Sequence, residues 1–280
     1  MTKELRSARD WFTIANVREK IRTLPHALSL ALSENAADVG ARSSVSERSG
    51  GGHGEIEIAR DVTVVKKCHL PDKPGLSTVE GQARLLHDLG SIELQAMELG
   101  FRTLVEFPDA PRAFREELAD ITLGESRHLG LCLDGLNSLD FEWGHWSVHT
   151  ALLQAVAVDD SLLDRILIVH RYLEGSGLDA GEAILRRLNG TLSPVARPVM
   201  QTIRREEVDH VLFGSLWYRR ICEEMKLDPS ADFSSRIEII NRLVPRRERI
   251  NHTLRKQAGF TSHEIAVLET IGVRPEKPAR

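Results

Sequence analysis

Two tetrapeptides, Glu125-Ser126-Arg127-His128 and Glu207-Val208-Asp209-His210, constrain this chain more than any other feature. Each lies in a run with helical periodicity. Residues three apart share a helix face, so each tetrapeptide aims one carboxylate and one imidazole the same way. Amid aliphatic neighbours such a pair is costly unless both groups find partners. Each pair also trails a glutamate placed on the apolar stripe of the preceding helical run. Glu93 stands 32 residues before Glu125, and Glu174 stands 33 residues before Glu207. Two lone glutamates and two Glu-x-x-His pairs on four helices are the ligand set of a bundle centre holding two iron or two manganese ions. Carboxylate oxygen with imidazole nitrogen suits those metals better than a thiolate-seeking one. A single Glu-x-x-His is common by chance; the repetition at nearly equal intervals carries the reading.

Taken in order, residues 8–33 read as an amphipathic helical region that Pro25 breaks or restarts, with His26 a surface histidine just beyond it. Residues 40–54 are a loop by composition, and Gly50 to Gly52 lack the Gly-Lys-Ser/Thr that a phosphate loop requires. Residues 55–65 alternate apolar and polar, as a short strand or extended arm would, and prolines stiffen a linker at 70–75. The first bundle helix runs from a cap at Ser77 or Thr78 to about Phe107. Its stripe passes through Leu85, Leu89, Ile92, Ala96, Met97 and Leu104, which selects Glu93 and puts Glu98, the alternative ligand, at the rim or in solvent. The second helix covers about 112–136, with Phe114, Leu118, Ile121, Glu125, His128, Leu129 and Cys132 on one face.

Residues 137–150 form a crossover whose Phe141, Trp143 and Trp146 can plug one end of the bundle; His145 and His149 are structural or lend a ligand. The third helix covers about 151–175, with His170 a turn before Glu174 and a satisfied core histidine in expectation. The glycines of GSGLDAG at 175–181 should end or distort it and leave open space beside the metals. A short helical piece at 182–188 precedes the fourth helix, 194–224, whose inward stripe includes Met200, Ile203, Glu207, His210, Val211 and Gly214. The tail carries a helix from Phe233 to Arg255, a solvated charge run PRRER inside it, and another helix from Thr261. The fold class is therefore all-α: a four-helix bundle over 76–225, an N-terminal helical region and linker over 1–75, and a C-terminal helical extension over 226–280.

A net charge of −4 gives no electrostatic reason to expect a nucleic-acid partner. Three scattered cysteines form neither a disulfide framework nor a zinc site and fit a reducing compartment. No apolar run spans a bilayer, and the opening MTKELRSARDWF lacks the core of a secretory signal, so the expected location is cytoplasmic.

STVEGQARLLHDLGSIELQAMELG, LEGSGLDA, REEVDHVLFGSLWYR and INHTLRKQAGF, in that order, resemble the DUF455 family of ferritin-like bacterial proteins from about residue 60 onward. The resemblance implies a ferritin-like bundle, related in outline to the tRNA-hydroxylase branch of the di-iron superfamily. It carries the ligand positions to Glu93, Glu125, His128, Glu174, Glu207 and His210. The chain departs from the family pattern at Ser91, where relatives often have histidine, and beside His128, where they have a bulkier aromatic.

The expected function is that of a di-iron (or di-manganese) oxidase or monooxygenase. It would use dioxygen, an unidentified substrate and an external electron donor, since the chain has no dinucleotide fingerprint or cysteine cluster to supply electrons. A helical scaffold or binding module and an iron-handling protein are the alternatives.

Overall fold

The computed structural model describes residues 5–34, 56–246 and 248–272. The loop expected at 40–54 lies outside them. Among the described residues every regular element is a helix, with one isolated parallel bridge and no strand. Among the described residues no helix is long and apolar enough to cross a membrane. The helices are α1 (Val17–Ser33), α2 (Val79–Glu106), α3 (Arg112–Asn137), α4 (Leu162–Ile166), α5 (Glu174–Leu188), α6 (Ala196–Glu224), α7 (Pro229–Leu243), α8 (His252–Gln257) and α9 (Ser262–Ile271). The chain divides into two compact units, 1–74 with 83–159, and 75–82 with 160–280.

In the first unit, Asn16 caps α1 by accepting from the Glu19 N–H at 3.0 Å. Pro25 does not break this helix, contrary to expectation. It sits on the exposed side, while Leu24, Ala27, Leu28 and Ala31 are buried on either side of it and hold the helix continuous. His26 is exposed, as expected. The Thr78 hydroxyl accepts from the Gly81 N–H at 3.0 Å and caps α2. That helix is not one-sided: Leu86, Phe101, Glu98, Gln95, Leu99, Thr103 and Glu93 are all buried, and at helical spacing they fall all the way round it. A helix enclosed on all sides has no rim, so the expectation for Glu98 fails. Glu98 is fully buried.

Two close approaches set α2 against α3. A side-chain carbon on Gly90 would lie 3.3 Å from Cys132 Cβ, and one on Gly100 would collide with the Thr122 hydroxyl. Ten residues forward on α2 match ten back on α3, so the pair is antiparallel, and Glu93 falls level with His128 between the two contacts. The expected strand at 55–65 is reduced to the bridge between Val64 and Val148. With a single partner residue, the alternating segment remains an extended arm.

The crossover aromatics gather on His87 rather than on any Glu-x-x-His pair. Its ring stacks on Trp143 with centroids 4.9 Å apart and meets Trp146 edge-on, while His145 packs against Trp146 and Phe141. His87 Nε2 accepts from the Gly144 N–H at 3.2 Å. Burial, only partly offset by Asp88, lowers its pKa from 6.5 to about 4. The folded chain thus takes up this proton less readily than the unfolded one. The stabilisation is complete above about pH 6.5 and is lost as pH falls from there towards 4, by up to about 3 kcal/mol. His87→Phe, which keeps a ring on Trp143, should flatten that acid limb. Urea midpoints at pH 7.5 and 4.5 test this; an unchanged acid limb in the variant would reject it.

The second unit departs most from the sequence reading. The third helix begins at α4, capped by Ser161, and runs through a π-helical segment (Leu167–Leu173) into α5. The glycines do not end it, and the distortion precedes them. Gly175 does not open space either: a side-chain carbon there would collide with the Arg255 guanidinium. Arg255 lies across this backbone, with Asp179 Oδ2 2.8 Å from Nη2 and the Arg171 carbonyl 3.4 Å from Nη1. The piece at 182–188 is the end of α5, not a separate helix. The tail helix expected from Phe233 to Arg255 is two helices, α7 and α8, because Pro245 cannot continue the first and Asn251 caps the second. Thr261 caps α9 in a reciprocal box with Glu264. The expected charge run is not wholly solvated: Arg246 is buried and donates to the Leu268 carbonyl at 2.7 Å.

Candidate metal centre

In the first unit, α3 is amphipathic with a buried face that includes Phe114, Leu118, Leu129 and Cys132. Glu125 and His128 stand on that face, one turn apart and both buried. Glu93 reaches the same place from α2. His128 Nδ1 is 3.5 Å from a Glu93 oxygen and 3.6 Å from a Glu125 oxygen. Two buried carboxylates and an imidazole in an aliphatic setting bring hard and borderline donors together, a chemistry that could hold a metal ion. Cys132 is buried beside them; burial, with the Glu93 charge adding to it, pushes its thiol well above the usual range. That keeps Cys132 protonated and inert.

In the second unit, Glu207 and His210 stand one turn apart on α6, with His210 Nδ1 3.4 Å from Glu207 Oε1. His210 is buried, and the Glu207 side chain keeps 13% of its surface. Glu174 is the first residue of α5, directly after the π segment, and is buried. His170 Nδ1 approaches Glu174 Oε1 at 2.8 Å. The α5–α6 pair is antiparallel. Gly214 of α6 lies against His170, and Gly181 of α5 against Met200 and Arg204, which puts Glu174 and His210 at one level of the pair.

The structure therefore brings Glu93, Glu125 and His128 together in one unit, and sets His210 beside Glu207 and level with Glu174 in the other. Glu98, the alternative on α2, belongs to a separate buried group. Lys20 Nζ is 2.5 Å from its Oε1, and Arg60 contacts its Oε2. His145 is exposed and joins only the aromatic cluster. His149 turns to the local backbone, with Nδ1 accepting from the Ala151 N–H at 3.2 Å. The sequence reading places His170 one turn before Glu174 as a satisfied core histidine, and the four-residue spacing accounts for the contact between them.

A family model described as "Protein of unknown function (DUF455)" matches residues 13–266. A Haemophilus influenzae protein described as an uncharacterized protein is 30% identical over 201 residues, covering 69% of each chain. No solved structure matches. With the family model spanning nearly the whole chain, the protein belongs to the DUF455 family.

Proposed function

We propose that Glu93, Glu125, His128, Glu174, Glu207 and His210 form one dinuclear centre in a ferritin-like bundle of α2, α3, the α4–α5 helix and α6, and that the protein is an oxygen-activating oxidase or monooxygenase. The observation that carries this is the same carboxylate–imidazole pair presented from one helix turn in each unit, Glu125 with His128 on α3 and Glu207 with His210 on α6. Glu93 beside His128 and Glu174 level with His210 add one carboxylate to each pair. The donor set fits iron, with manganese second. When bound, a redox-active pair of ions supplies electrons to dioxygen.

The residues of the chain hold and shelter that centre. Glu125 and His128 are presented by the same helix turn, so the geometry is set before metal arrives. Leu118, Leu129 and Cys132 on α3, and Val211 and Phe213 on α6, exclude water around the carboxylates. Dioxygen, an organic substrate and an external electron donor are the partners of this reading.

Protein purified without chelator and loaded anaerobically with ferrous iron should hold about two ions per chain, as such six-residue bundle sites do. After removal of excess metal, addition of a reductant in air should give dioxygen uptake that continues past one equivalent. A folded protein that retains neither iron nor manganese would sink the proposal. Uptake of many ions per chain into a large shell would replace it with iron storage.

A further inference from the structure

Two buried side chains of α2, next to the aromatic crossover, carry more hydrogen-bond donors than the fold uses. Arg84 and His87 stand one turn apart, 1% and 0% exposed. Arg84 Nε donates to Asp88 Oδ1 at 2.8 Å, while Nη1 and Nη2 are buried and meet no acceptor. His87 Nε2 accepts from the Gly144 N–H, so the proton of the neutral ring sits on Nδ1. That N–H is also buried without an acceptor. Both residues pack on Trp146: its ring centroid is 5.4 Å from the Arg84 guanidinium carbon and 5.4 Å from the His87 ring. Burying a charged donor without an acceptor is costly, and a packing role alone would be better met by apolar side chains.

The chemistry of the group defines what would satisfy it. Every unused atom is a donor, so the partner is an acceptor, and water would bring two hydrogens of its own. With Nε committed to Asp88, Arg84 keeps its Nη1–Nη2 edge, whose parallel N–H groups match the two oxygens of a carboxylate. Lys73 Nζ lies 2.7 Å from Asp88 Oδ2. Arg84 and Lys73 against Asp88 leave one positive charge, which balances one negative charge and not two. His87, with its pKa lowered by burial to about 4, adds a donor and no charge at neutral pH. The walls are aromatic: Trp143 stacks on His87, and Phe141 stacks on Trp146. Trp143 and Trp146 are only half-buried and lie outside any helix, so the cover over these donors is a side-chain layer of the crossover.

We propose that Arg84 and His87 form a binding site for a monocarboxylic acid with an apolar body, Arg84 taking both carboxylate oxygens and His87 donating from Nδ1. The crossover aromatics, displaced as the ligand enters, pack on its apolar part. The site lies within the first unit and does not depend on the metal reading.

Calorimetric titration of the full chain with acetate, benzoate and 3-phenylpropionate tests this, with benzamide and phenyl phosphate as the neutral and doubly charged counterparts of benzoate. The aromatic acids should bind more tightly than acetate, and benzoate at least about tenfold more tightly than either counterpart. Arg84→Lys keeps the charge and loses the fork, and should weaken benzoate about tenfold or more. No binding of any of the three acids would overturn the proposal and leave the donors to water. Equal binding of benzamide would reduce the site to an aromatic patch, and tighter binding of phenyl phosphate would replace the carboxylate by a phosphate. Parental affinity in a folded Arg84→Lys would place the acid elsewhere and overturn the assignment. Should that variant not fold, the benzoate and benzamide titrations of the parent still decide.

Discussion

Glu98→Ala should destabilise the protein by about 3–5 kcal/mol while leaving its metal content unchanged. Lys20 is 1% exposed and Arg60 contacts the same carboxylate, so removing Glu98 strands two buried cations. Breaking a buried ion pair from one side costs that much because the remaining charge has lost its direct partner. Burial already lowers the Lys20 pKa, with Glu98 opposing it by charge and hydrogen bond. Without Glu98 the amine falls further. The folded state then binds fewer protons than the unfolded one, so the deficit should shrink as pH rises from 7 to 9.5. Glu93→Ala should do the reverse, lowering metal occupancy with a smaller change in stability. Urea denaturation and metal analysis on both variants decide this. A Glu98→Ala protein of parental stability that has lost its metal would reverse the assignment of the two glutamates on α2.

Gly214→Ala should lower stability by about 1–3 kcal/mol, and the melting temperature by roughly 2–10 °C, despite alanine's better helix propensity. Alanine in a helix gains about 1 kcal/mol over glycine. Here the added carbon would meet the His170 backbone carbonyl at 2.9 Å as well as its Cβ at 2.6 Å. Backbone cannot rotate aside, so α6 must shift relative to the π segment. The same shift moves His210, and metal occupancy should fall with stability. Gly177→Ala is the internal control: it lies in α5, is exposed, and its added carbon would meet nothing within 4 Å. It should raise the melting temperature. Equal effects of the two substitutions in thermal melts would show that the α5–α6 contact is looser than described.

The candidate site was legible because it is local. A carboxylate and an imidazole three residues apart are placed by helix periodicity alone, and α3 shows the one-sided burial that its apolar spacing requires. Periodicity failed on α2 for an identifiable reason. The stripe argument assumes that one face meets solvent, and α2 is buried around its circumference, so it could rank Glu93 above Glu98 but not foresee that both are buried. What separates them is whom they face: His128 for one, Lys20 and Arg60 for the other. Lys20 and Arg60 lie far from Glu98 in sequence, and no spacing rule connects them.

The glycines make the same point. In LEGSGLDA they look like a helix terminator, since isolated glycine weakens a helix. The helix continues because Arg255, nearly eighty residues later, occupies the space left by Gly175 and bonds Asp179 in the same turn. LEGSGLDA and INHTLRKQAGF are thus two sides of one contact, which neither segment announces alone. By itself the sequence determined the helical class, the start of α2 at Thr78 and of α9 at Thr261, and the two Glu-x-x-His pairs, all of which depend on residues within a turn or two. Only the tertiary structure decided the π segment at His170, the continuity of α1 past Pro25 and of the third helix past its glycines, and the partners of the buried charges. Those depend on long-range packing, whose energy outweighs the local preference of a proline or a glycine and has no signature in the spacing of nearby residues.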